Sequence, residues 1–124
     1  MDSEELKTRL KDAALRIIRL VDFLPNKVSA KAIAKQIIRS GTSPAANYRA
    51  ACIAKSDKDF INKLKMVEEE LDETIFWLGL IMDAKIVTPE RVLPLHDEFQ
   101  ELLKIIASSI ITSKKRMDSK DLLK

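Results

Sequence analysis

Apolar residues recur through the first two dozen positions at alternating steps of three and four: Leu6, Leu10, Ala13, Ile17, Leu20/Val21 and Leu24. That spacing lines one face of a helix and predicts α-helix over 3–24. Ser3 is the expected cap, Glu4 and Glu5 suit the positive end, and Pro25 stops the helix. A second seam, Ala30, Ala34, Ile37, Gly41, Pro44, Tyr48 and Ala51, keeps its phase through a glycine and a proline. Taken alone, Ser40-Gly41-Thr42-Ser43-Pro44 reads as a loop. The unbroken phase on both sides predicts instead one kinked helix over 29–54, whose packing offsets the ~3 kcal/mol that an interior proline costs.

The third helix is expected over 56–85. Ser56 and Asp59 form a shortened capping box, and Phe60, Leu64, Val67, Leu71, Thr74, Leu78 and Ile81 make the seam. The fourth, over 89–113, opens on Thr88-Pro89-Glu90, a cap followed by proline at the first helical position. Val92, Leu95, Phe99, Leu102, Ile106 and Ile110 line it, and Pro94 allows its first turn to be a separate piece. Residues 114–124 carry Lys114-Lys115-Arg116 and no seam, and are expected to form a polar, frayed tail. Short connections force sequential helices to run antiparallel. The fold class is therefore all-α, an antiparallel up-down-up-down four-helix bundle over 1–113.

Composition supports this and narrows the chemistry. A chain of 124 residues with only 2 Gly and 4 Pro has little turn chemistry and enough length for one core. The single Cys52 forms no internal disulfide and is expected to be a small buried hydrophobe. The start, Met1-Asp2-Ser3-Glu4-Glu5, lacks the basic-then-apolar order of a signal peptide. The longest apolar run, Ile75 to Met82, is far short of the ~20 residues of a membrane span. A cytoplasmic location without membrane contact is expected.

One histidine, His96, and one cysteine support neither a zinc site nor a di-iron bundle, which needs Glu-x-x-His on two helices. No Gly-rich phosphate loop or nucleophile elbow occurs. His96 reads as a partly exposed helix residue. No catalytic group, metal or cofactor is expected, and the chain is read as non-enzymatic.

Two features ask for more. Ile75-Phe76-Trp77-Leu78-Gly79-Leu80-Ile81-Met82 is apolar all round, where a surface helix keeps one polar face. Either the first and fourth helices cover it, or Phe76, Trp77 and Leu80 meet a neighbouring subunit; the second is favoured. The other feature is charge. The net +3 conceals +5 on residues 1–60 and −2 on 61–124. Lys31, Lys35, Arg39 and Arg49 fall within about 80° on the second helix, and Lys55, Lys58, Lys63 and Lys65 extend the basic region. A solvated face is the plain reading. The stripe, however, has no acidic partners at i+4, and lysines at a helix start oppose its dipole. Lys31, Lys35, Arg39, Arg49, Lys55 and Lys58 are accordingly the candidate nucleic-acid contacts. Arg49 has the alternative of an acidic partner within the bundle. Asn47 is expected to satisfy freed backbone or a neighbouring helix rather than a ligand.

The run Ser40-Gly41-Thr42-Ser43-Pro44-Ala45-Ala46-Asn47-Tyr48-Arg49-Ala50-Ala51, followed by Asp59-Phe60-Ile61-Asn62-Lys63-Leu64 and Glu70-Leu71-Asp72-Glu73-Thr74-Ile75-Phe76-Trp77-Leu78, resembles the bacterial four-helix bundle proteins encoded in intervening sequences of 23S ribosomal RNA. It departs from them at Ala45 and Ala50, where their pattern has a small residue, often glycine, and an acidic one. The resemblance implies a homo-oligomer, usually a pentameric ring, without enzyme activity. It further implies kinship to the accessory proteins of diversity-generating retroelements, with RNA or DNA and a protein such as a reverse transcriptase as partners. It implies no place in the ribosome.

Overall fold

The structure, a computed structural model, describes residues 1–123. Four helices follow one another: α1 (Ser3–Phe23), α2 (Val28–Cys52), α3 (Asp57–Asp83) and α4 (Pro89–Leu122). No strand occurs among the described residues. The expected all-α antiparallel bundle is what forms. α2 packs along α3, α3 along α4 and α1 along α2, whereas α1 and α4 touch only sparsely. The core between them is largely aliphatic. Leu10, Ile17, Ile37, Leu64, Leu71, Leu78, Leu102 and Ile106 are fully buried around Phe99.

α2 runs unbroken through Pro44. Gly41 and Pro44 are both buried, with Ile37 before them and Tyr48 and Ala51 behind. Burial on both sides of the proline stabilises the helix enough to offset the missing backbone donor. Gly41 meets α1 closely: a Cβ there would lie 2.6 Å from Ile17 Cγ1. Beside it, the buried hydroxyls of Ser40 and Thr74 are hydrogen-bonded at 2.9 Å, and Thr74 Oγ1 lies 2.8 Å from the Glu70 carbonyl.

Several local expectations need correction. Asp2, not Ser3, caps α1, its carboxylate accepting from the Glu5 N–H at 2.8 Å. That bond holds the Asp2 carboxyl below its ordinary range. Ser56 does cap α3, accepting from the Asp59 N–H at 3.1 Å, but Ile61 is buried at its start and Phe60 only half-buried. Thr88 makes no side-chain capping bond, and α4 is continuous from Pro89 through Pro94. Cys52 is half-buried, close enough to Tyr48 that burial and the thiol together push the tyrosine hydroxyl above its ordinary range.

The fourth helix does not end near residue 113 in a frayed tail. It continues to Leu122 because the seam continues: Ile110, Ser113 and Met117 keep the spacing, and Met117 rests against the core. Lys120 Nζ then reaches Asp57 Oδ2 at 2.8 Å and holds that carboxyl below its usual range. α3 ends on a Schellman turn. The Ile86 N–H donates to the Ile81 carbonyl and the Lys85 N–H to the Met82 carbonyl, with Lys85 at φ 54 where glycine is usual.

Candidate nucleic-acid interface

The basic positions of α2 are dealt to two sides of the bundle. At 100° per residue, Arg49 returns to the bearing of Lys31, while Arg39 is turned about 80° away. That rotation carries Arg39 over α3, where its guanidinium pairs with Glu73. Arg49 instead lines a groove between α1 and α2 with Lys7 and Lys11, floored by Thr42, Ala45 and Ala46. Lys7 is paired with Glu4 at 2.9 Å. Lys31 and Lys35 are exposed near the start of α2, about 27 and about 21 Å along the axis from Arg49. Lys55 and Lys58 are exposed at the junction of α2 with α3. Among the described residues, Lys31, Lys35, Arg49, Lys55 and Lys58 form no ion pair. Arg39 is therefore withdrawn from the free cations, Lys63 is paired with Asp59 at 2.7 Å, and Lys11 joins a set in which spacing along α2 alone could not place it.

Asn47 meets the expectation of a neighbouring helix: its Nδ2 donates to Glu70 Oε1 at 2.8 Å. Glu70, of the acidic run Glu68-Glu69-Glu70, and Glu73 thus serve α2 from across the α2–α3 contact, with Glu70 on Asn47 and Glu73 on Arg39.

The apolar end of α3 is neither wholly covered nor wholly open. Leu78 and Ile81 are buried, while Phe76 is 59% exposed and Leu80 37%. Trp77 is half-buried, donating from Nε1 to Glu73 Oε2 at 3.0 Å and standing edge-on to Phe76 with centroids 5.0 Å apart. Gly79 has no packing reason within the chain, since a Cβ there would meet nothing within 4 Å. Half-buried His96 has Nδ1 3.4 Å from Asp97 Oδ1. Among the described residues no cluster of His, Cys, Asp or Glu could hold a metal ion, and no helix is long and apolar enough to cross a membrane.

Fold and surface together define a four-helix bundle that is basic along one helix and apolar on the exposed end of the next. The chain belongs to the 23S rRNA-intervening sequence protein family, whose model matches residues 5–108. It is also similar to the crystal structure of a protein of unknown function from the S23 ribosomal protein family of Bacteroides thetaiotaomicron VPI-5482. The two share 37% identity over 89% of this chain and 98% of that one, with a TM-score of 0.82. No curated protein matches the chain.

Proposed function

We propose that the chain is a non-enzymatic, cytoplasmic homo-oligomer that binds RNA through the α2 face. One observation carries this reading: Lys31, Lys35, Arg49, Lys55 and Lys58 are exposed and form no ion pair. Such cations neutralise phosphates without reading bases, so binding is salt-sensitive and indifferent to sequence. Anisotropy of a labelled RNA, titrated at several salt concentrations, tests it. Lys35→Gln with Arg49→Gln is expected to weaken binding uniformly across sequences and to flatten the log–log salt slope by about 1 per cation. RNA that stays free even at low salt overturns the reading.

The oligomer is supported by Phe76, Gly79 and Leu80. A helix glycine costs about 1 kcal/mol relative to alanine and here gains no contact within the chain. Together with two exposed apolar side chains, it suits close approach by another chain, Trp77 backing the contact. Light scattering is expected to give a multiple of the chain mass, five for a ring, and Phe76→Glu is expected to reduce it. A monomeric wild type would shift this face to the second reading, an adaptor. There the same residues dock another protein, such as a reverse transcriptase.

A further inference from the structure

α1 and α4 touch only sparsely, and a groove of about 390 Å³ lies between them near the end of α1. Buried Val92 and Leu95 line it with Leu20, and Arg16, Arg19, Phe23 and Arg91 surround it. The Phe23 ring is 53% exposed, and the Arg91 guanidinium carbon lies 4.3 Å from its centroid. Arg16 and Arg19 form no ion pair and no side-chain hydrogen bond, although Asp12 stands four residues before the first and Asp22 three after the second. Three guanidinium groups around one hollow repel one another, and an anion between them removes that penalty.

We infer that this groove holds one nucleotide of a single-stranded nucleic acid, its phosphate between Arg16 and Arg19 and its base against the Phe23–Arg91 pair. Planar bases stack on aromatic rings and on arginine planes, the mode by which single strands are held without sequence preference. A duplex keeps its base faces covered and can offer only phosphates. An acidic peptide would use the guanidinium edges and leave the exposed part of the Phe23 ring, beyond its contact with Arg91, without a role. The inference deepens the nucleic-acid reading but uses side chains of α1 and α4 rather than the free cations of α2.

The test compares an eight-nucleotide single-stranded RNA with its blunt duplex, by anisotropy, on the full-length chain. Phe23→Ala is expected to weaken single-strand binding roughly 5- to 100-fold while leaving duplex binding unchanged. Phe23→Trp is expected to restore it, and Arg16→Gln with Arg19→Gln to weaken it. Phe23 is exposed, so the alanine variant should fold, which circular dichroism verifies. Equal losses on both forms, or none, overturn the inference while the α2 reading stands if Lys35→Gln with Arg49→Gln still weakens both. If no RNA binds at all, adenosine monophosphate at millimolar concentration decides the groove alone. Shifts of the Phe23 ring and Arg91 Nε–H resonances sustain a nucleotide subsite. Their absence, or displacement of the nucleotide by an equimolar acidic peptide, ends it.

Discussion

Gly41→Ala is expected to destabilise the fold by about 1–3 kcal/mol, although alanine is the better helix former by about 1 kcal/mol. The sign is decided by what the new methyl meets. It would lie 2.6, 2.9 and 3.0 Å from Cγ1, Cγ2 and Cδ1 of Ile17, all well inside van der Waals contact. Ile17 is fully buried, and turning it about χ1 only exchanges one branch for the other. The helices must therefore part. Urea unfolding at fixed protein concentration measures the loss. Ile17→Ala should cost about 2–5 kcal/mol alone and clearly less in the Gly41→Ala background, because each change makes room for the other. Strict additivity of the two would show that the helices do not meet at this point.

Thr74→Val is expected to cost about 1–3 kcal/mol despite conserving shape, since it leaves the fully buried Ser40 hydroxyl without its partner. Ser40→Ala combined with Thr74→Val removes both polar groups and should cost less than Thr74→Val alone. Thermal melts of the three variants give the comparison. A double variant less stable than Thr74→Val would mean that the hydroxyls stabilise by more than mutual satisfaction. Ser40 is next to Gly41, so polar and steric specificity sit together near Pro44 of α2.

The seams were legible because burial repeats every three or four residues whichever helix lies opposite. All six apolar positions expected along α4 are buried, and α2 keeps its register through Pro44. Ends were harder to place. A cap is decided by one bond, and Asp2 and Ser3 both carry an acceptor suited to the task. The tail is hard to read as helix because a seam of Ser113 and Met117 is a weak signal beside Lys114-Lys115-Arg116. Its contacts are with the core and with Asp57, sixty-three positions earlier.

The surface was less legible still. Spacing along α2 places its cations on one side of that helix but does not give the rotation of α2 against α1 and α3. The pairing of Arg39 with Glu73 and the company of Arg49 with Lys11 depend on that rotation, and the groove of Arg16, Arg19 and Arg91 on how α1 sits against α4. Lys7 and Lys11 are four apart on α1, a visible hint, but only α2 gives them a common use.

Each rod in this molecule leans chiefly on the one before or after it in the chain, and the first and last barely meet. Assembly can then advance like a folding screen, panel against panel, without first drawing remote segments together. Chains organised so locally reach their final shape in microseconds to milliseconds. The open seam left between the outer panels is the same gap into which Arg16, Arg19 and Arg91 project.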